Sequence, residues 1–275
     1  MAQFRKSIRF LLNGILVELD TVAASDTLLD FLRLEQRLCG TKEGCAEGDC
    51  GACTVLVGRL AHGKLVYETV NACIRFVGSL DACHIVTIEH LRRENGKLHP
   101  VQQAMVDMHG SQCGFCTPGI VMSLYALWMS NTNPSNEDIE ISLQGNLCRC
   151  TGYEAIVRAA GAAALAGGQA QDVLVRERHK VVKILEGLHD GARIEMGEGG
   201  AKFIVPASLD DLAEARAAHP GSIIVAGATD VGLWVTKFMR PIAPAIFIAH
   251  LDELHRIENA ASGLTIGACV TYTEM

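Results

Sequence analysis

At 275 residues the chain is long enough for two or three compact units, since domains commonly run about 100 to 200 residues. Apolar residues make up 49% and charged residues 20%, ordinary globular values that exclude wholesale disorder, while a net charge of -7 excludes a strongly basic surface for nucleic acid. The longest apolar run, Gly119 to Met129, falls short of the roughly 20 residues a membrane span needs, and Asn13-Gly14 cuts the opening apolar stretch before it could act as a secretory signal. These features predict a soluble, cytoplasmic protein with no nucleic-acid or membrane partner.

Ser7 to Leu19 alternate apolar and polar side chains around Asn13-Gly14, which predicts a β-hairpin. Ser25-Asp26-Thr27 offers cap chemistry ahead of Leu28, Leu29, Phe31 and Leu32, a short helical face. Strands are expected at Thr54 to Val57, Lys64 to Tyr67 and Ile85 to Ile88, so the first 90 or so residues fit a ferredoxin-like β-grasp fold. From Pro100 the period changes to helical. Helices are expected from Pro100 to about Gly110, from Thr117-Pro118 with Thr117 as cap, from Asn136 to Leu143, and from Tyr153 to Leu165, together a four-helix bundle. Residues 166–200 carry two glycine-rich patches around one amphipathic stretch and read as a linker with one helix. A third unit follows, with a helix over Ser208 to Ala218 and strands at Ile223 to Ala226, Pro244 to Ile248 and Leu264 to Ala268.

Eight of the eleven cysteines fall into two groups of four. Cys45, Cys50, Cys53 and Cys73 follow the C-x4-C-x2-C spacing with a distant fourth ligand that characterises plant-type [2Fe-2S] sites. Gly44, Gly48 and Gly51 let the chain wrap closely enough for backbone N–H groups to face the sulfurs; zinc is the alternative reading. Cys113, Cys116, Cys148 and Cys150 form a C-x2-C and a C-x-C pair, each just before an expected helix whose N-terminal dipole favours thiolate. They are expected to form a second metal site, for which spacing alone leaves iron-sulfur and zinc nearly even. Cys39, Cys83 and Cys269 read as small, partly buried apolar residues, and Met105, Met108, Met122 and Met129 as bundle core.

GTKEGCAEGDCGACTV at residues 40–55, SQCGFCTPGIVMS at 111–123 and GNLCRCTGY at 145–153 resemble the molybdenum hydroxylase family, specifically the iron-sulfur and flavin subunit of its xanthine dehydrogenase branch. The resemblance covers almost the whole chain. It implies an α+β multidomain protein: a β-grasp [2Fe-2S] domain at 1–92, a four-helix [2Fe-2S] domain at 93–165, a linker at 166–200 and the N-terminal part of an FAD-binding domain at 201–275. It further implies that all eight cysteines are cluster ligands, that Gln112 reaches a molybdopterin held by a large partner subunit, and that Cys150 is the ligand nearest that pterin.

IIVAGATDVGLWVTK at 223–237 resembles the flavin pyrophosphate loop of the same subunit, which implies FAD contacts from Ile224, Val225, Ala226, Gly227, Ala228, Thr229, Asp230 and Val231. On local sequence alone a buried strand and turn is the simpler reading. LTIGACVTYTE at 264–274 resembles the next flavin segment, with Gly267, Ala268 and Thr271 at matching positions. Because the family's flavin domain continues further, the chain is expected to be truncated within it and to hold FAD incompletely.

Nothing in the sequence resembles a nucleophile elbow, a P-loop or a paired-carboxylate site. The implied role is therefore electron transfer in a hetero-oligomer, from molybdopterin on the partner through two [2Fe-2S] clusters to FAD and then NAD during purine hydroxylation. The alternatives are the iron-sulfur subunit of an aldehyde-, carbon monoxide- or N-heterocycle-oxidising relative, a free two-cluster electron carrier, and a zinc-stapled interaction module.

Overall fold

The structure, a computed structural model, describes residues 4–92, 96–260 and 263–275. The start of the expected second unit, at residue 93, lies outside the described residues. The chain begins with β1 (Phe4–Arg5), which joins a later sheet, and then forms the hairpin β2 (Ile8–Leu12) and β3 (Ile15–Leu19). Asn13 and Gly14 sit at φ 52° and 83°, as a two-residue turn matched to the strand twist requires. Thr27 caps α1 (Leu28–Asp30), which runs on as a π-helical turn, Phe31–Glu35. With β4 (Thr54–Ala61), β5 (Lys64–Asn71) and β6 (His84–Val86) the sheet has order β3-β2-β6-β4-β5, antiparallel except for β2 and β6. A helix across such a mixed sheet is the expected β-grasp.

In β4 the stretch Val55 to Val57 is apolar without a break. Val55 and Val57 face the core beneath α1 with Phe10, Phe31 and Ile85, whereas Leu56 faces the opposite way into the helical bundle with Val86. Both faces are covered over these three residues, so neither can be polar there.

The bundle consists of α2 (Pro100–Asp107), α3 (Thr117–Ser130), α4 (Asn136–Leu143) and α5 (Glu154–Ala166). His99 caps α2, its Nδ1 accepting from the Val101 N–H at 3.2 Å, and Ser135 caps α4 in a reciprocal box with Asp138. Thr117, expected as a cap, lies inside α3 with Cys116 at the cap position. Tyr153, expected to open α5, has φ 69° and stands just outside it.

Residues 166–200 are more structured than a linker. They carry α6 (Val173–Arg176), α7 (Arg178–Leu188) and the strand β7 (Arg193–Met196). α7 lays Val181, Leu185 and Leu188 over Leu11 and Leu65 of the β-grasp sheet. β7 joins β1, β8 (Phe203–Val205), β9 (Ile223–Val225) and β10 (Ala245–Phe247) in a second five-stranded sheet of order β1-β7-β8-β10-β9, flanked by α8 (Leu209–Ala218), which Ser208 caps, and by α9 (Val231–Thr236). β11 (Ile257–Ala260) and β12 (Gly263–Ile266) form a separate hairpin. The second sheet shares one continuous core with the β-grasp: Phe203 and Phe247 pack edge to face at 5.5 Å, and Phe247 lies 6.1 Å from Phe76.

Candidate metal and flavin centres

The loop after α1 brings Cys45, Cys50 and Cys53 to Cys73, which follows β5. Cys53 and Cys73 are buried, with sulfurs 3.4 Å apart. Contact with Cys73 pulls Cys53 down to about 7, and the same contact pushes Cys73 up. Burial opposes ionisation of Cys45, yet the N–H groups of Glu47, Asp49 and Cys50, each 3.4 Å from its sulfur, outweigh it and lower its pKa. Burial raises Cys50, whose thiol pairs with Cys45. The glycine-rich loop thus does what close wrapping was expected to do. Gly48 holds φ 80°, its carbonyl takes a 2.6 Å hydrogen bond from Asn71 Nδ2, and a Cβ on Gly44 would stand 2.8 Å from Cys50 Sγ.

The second quartet gathers at the amino ends of α3 and α5, and it too forms pairs. Cys116 hydrogen-bonds with Cys148, and Cys113 with Cys150. Burial, reinforced by Cys148 and Cys113, raises Cys116 to about 12, and Cys113 raises Cys150. Burial also opposes ionisation of Cys148, but the Thr151 hydroxyl at 3.2 Å and nearby N–H groups prevail and lower it. Cys113 and Cys150 are exposed, as is Gln112 beside them, so this quartet opens to the surface where the first is closed in.

Among the described residues no group of three or more His, Cys, Asp or Glu converges as a single metal ion would need. Each quartet instead presents two pairs of sulfurs. A four-thiolate [2Fe-2S] cluster has two irons to bind, and the paired donor set with N–H groups on sulfur fits it.

The two cysteine loops touch. The Leu147 N–H donates to the Cys50 carbonyl at 2.9 Å, joining the residue before Cys148 to a member of the first quartet. Asn146, buried next to it, donates from Nδ2 to the Gly51 carbonyl at 3.0 Å and to Thr54 Oγ1 at 3.1 Å, and its Oδ1 accepts from Ser123 at 2.6 Å. Tyr153 closes the second loop, its Oη accepting from the Cys148 N–H at 2.7 Å and donating to the Asn146 carbonyl at 2.8 Å. Neither Asn146 nor Tyr153 stood out in the sequence, although both lie inside GNLCRCTGY. Their left-handed or buried settings are consequences of tertiary contact.

The segment 224–231 runs from β9 through a turn into α9. Val225 and Ala228 are buried; Ile224, Gly227, Thr229 and Asp230 are exposed. Ala228 turns the chain at φ 62°, and its carbonyl accepts from the Gly232 N–H. Among the described residues no protein acceptor takes the N–H groups of Gly227, Ala228, Thr229, Asp230 or Val231, and Gly227 faces open space. Successive unsatisfied N–H groups at a turn suit a phosphate, so the residues present fit a flavin pyrophosphate. α9 then leads back to the first quartet. Gly232 lies against Ile74, the neighbour of Cys73, and Lys237 Nζ pairs with Glu47 Oε2 at 2.6 Å. Cys269, from the second flavin-like segment, is buried beside Ile248, and Cys83 is buried too, whereas Cys39, expected to be partly buried, is exposed.

Three family models match: a 2Fe-2S iron-sulfur cluster binding domain over residues 10–77, a [2Fe-2S] binding domain over 87–161, and an FAD binding domain in molybdopterin dehydrogenase over 194–275. The chain belongs to the iron-sulfur and flavin part of the molybdenum hydroxylase family. It is 35% identical over 304 residues to the xanthine dehydrogenase of Drosophila subobscura, covering 97% of this chain and 22% of the relative. Aldehyde oxidase 1 of Rattus norvegicus is 32% identical over 312 residues, 97% of this chain and 23% of that protein. Among solved structures, the aldehyde oxidoreductase from Desulfovibrio desulfuricans is 37% identical and superimposes with a TM-score of 0.51 over 60% of this chain and 18% of that one. The chain therefore spans less than a quarter of the length of these relatives. No helix of the described residues is long and apolar enough to cross a membrane.

Proposed function

We propose that this chain is the relay of a xanthine dehydrogenase-type molybdenum hydroxylase, lying between a molybdopterin site on a partner chain and the NAD that accepts electrons from FAD. Bound in the two quartets and the 224–231 loop, [2Fe-2S] clusters supply one-electron steps and FAD couples them to hydride chemistry. The residues that would hold them are Cys113, Cys116, Cys148 and Cys150 for the outer cluster, Cys45, Cys50, Cys53 and Cys73 for the inner one, and the N–H groups of residues 227–231 for the flavin phosphates.

The single observation that carries this reading is the Leu147 N–H to Cys50 carbonyl bond of 2.9 Å, which makes the two cysteine loops one hydrogen-bonded unit. Beside it Asn146 and Gly51 are buried in direct contact, the Asn146 Nδ2 donating to the Gly51 carbonyl, which fixes the junction. The exposed rim at Gln112, Cys113 and Cys150 is the face from which electrons would enter from the molybdenum-binding partner.

Low-temperature EPR with spin quantitation on the dithionite-reduced, iron-loaded chain tests the relay. Two distinct signals of about one spin each are expected; a well-folded chain that binds zinc and gives no signal would overturn the reading. Co-expression with a molybdenum-binding large subunit tests the partner by co-elution, and the complex can then be assayed on xanthine, aldehydes and N-heterocycles with NAD. The resemblance to aldehyde oxidase 1 and to an aldehyde oxidoreductase supports the second reading, an aldehyde- or heterocycle-oxidising complex, over a free electron carrier.

A further inference from the structure

α9 touches the first quartet at two places. At one end Gly232 lies so close to Ile74 that a Cβ there would come within 2.7 Å of Ile74 Cβ and 2.9 Å of its carbonyl oxygen, and Ile74 follows Cys73 directly. At the other end Lys237, the residue after the helix, sets its ammonium 2.6 Å from Glu47 Oε2. Glu47 lies in the loop between Cys45 and Cys50, and its own N–H faces Cys45 Sγ at 3.4 Å. The helix that begins at the unsatisfied N–H groups of the flavin-like loop therefore reaches both the Cys73 and the Cys45 sides of the quartet.

The charges at this contact have definite signs. The loop contributes Glu47 and Asp49 as well as the cysteines, and Lys237 is the cation facing them from α9, within electrostatic reach of Cys45 and Asp49 as well as its direct partner. Burial of the Lys237 side chain is slight at 47% exposure, while Glu47 is less exposed, at 29%. A cation held beside a site that gains negative charge on reduction stabilises the reduced form, and an anion does the reverse.

Resting on the relay reading above, we propose that Lys237 is a positioning residue for electron passage between the first quartet and the flavin loop: its ammonium, fixed on Glu47, makes the cluster held by Cys45, Cys50, Cys53 and Cys73 easier to reduce. Charge at the Lys237–Glu47 contact thus sets the poise of that cluster from the flavin side. The outer quartet does not share this contact and keeps its own potential.

The test is EPR-monitored redox titration of the iron-loaded chain and of Lys237→Met, Lys237→Arg, Glu47→Gln and the Lys237→Met/Glu47→Gln double variant. Lys237→Met is expected to make reduction of the inner cluster about threefold to tenfold harder; tenfold is about 59 mV for one electron. Glu47→Gln should move it in the opposite direction, the double variant should return close to the unmodified chain, and Lys237→Arg should leave it in place. Both shifts should shrink as salt is raised, because the pair is partly exposed. A strap with no electrostatic role would lower the thermal midpoint of both single variants alike and could not give shifts of opposite sign, so shifts of the same sign, or none, overturn the proposal. Loss of both cluster signals from the unmodified chain would instead overturn the relay reading, and this inference with it.

Discussion

Gly119, in the first turn of α3, faces the carbonyl oxygen of Gly51 so closely that a Cβ on Gly119 would fall well inside van der Waals contact with it. The bundle thus rests directly on the backbone of the first cysteine loop. At an ordinary helical position alanine is more favourable than glycine by about 1 kcal/mol. Here the contact is with backbone, which cannot rotate away, so Gly119→Ala is expected to lose about 2 kcal/mol or more. Gly161 in α5 has nothing within 4 Å of its missing Cβ, and Gly161→Ala should gain up to about 1 kcal/mol. Thermal or urea unfolding of the two variants, read with iron content, checks the contrast.

The cysteines should separate by quartet. Cys53→Ser is expected to abolish one EPR signal and leave the other, and Cys150→Ser the reverse, each lowering bound iron by about two per chain, the iron content of one [2Fe-2S] cluster. Loss of both signals from Cys150→Ser in a folded protein would show the quartets to be wrongly divided.

Gly232→Ala should push α9 off Ile74, since the nearest atoms are a Cβ and a backbone oxygen. Trp234 lies on the same helix, packed against the shared core, and the only other tryptophan, Trp128, is buried in the bundle. A red shift in tryptophan emission with weakened flavin retention is therefore expected, while the EPR signal of the second quartet is unchanged.

His84 gives the protein an acid-sensitive point. It is buried, its Nδ1 lies 2.7 Å from Tyr67 Oη, and its Nε2 has no hydrogen-bond partner among the described residues. Burial, with His90 beside it, lowers its pKa to about 3 from 6.5. Above the unfolded value both states hold the neutral ring and stability is at its full level. As pH falls below about 6.5 the unfolded chain takes up a proton that the folded chain refuses, so stability is lost progressively until the folded ring itself titrates near 3, at up to about 1.4 kcal/mol per unit. His84→Gln, which keeps an acceptor for Tyr67, should flatten the unfolding free energy across that window; an unchanged acid limb would contradict the assignment.

The β-hairpin, all four bundle helices and both cysteine quartets were legible because their signals are local: Asn13-Gly14, helical spacing, and the C-x4-C-x2-C and C-x2-C patterns. What tertiary contact decides was not legible. Tyr153 looks like a helix residue until its hydroxyl is seen bridging Cys148 and Asn146. Arg193 to Met196 is too short and too charged to announce a strand, yet its position between β1 and β8 makes it one. Lys237 is an unremarkable surface lysine in sequence, and only the approach of α9 to the quartet brings it to Glu47.

β1 carries a consequence for how the chain reaches this state. Phe4 and Arg5 pair in parallel with Arg193 and Ile194, and Phe4 lies under the Arg193 guanidinium at 5.5 Å. β1 therefore has no partner until nearly two hundred residues later in the chain, and Phe76 waits through a slightly shorter stretch for Phe247. Contacts of such long sequence separation slow folding and leave apolar edges uncovered during synthesis. The β-grasp and flavin units accordingly mature together rather than one after the other, and a cut made between them would leave two fragments, each missing part of the other's sheet or core.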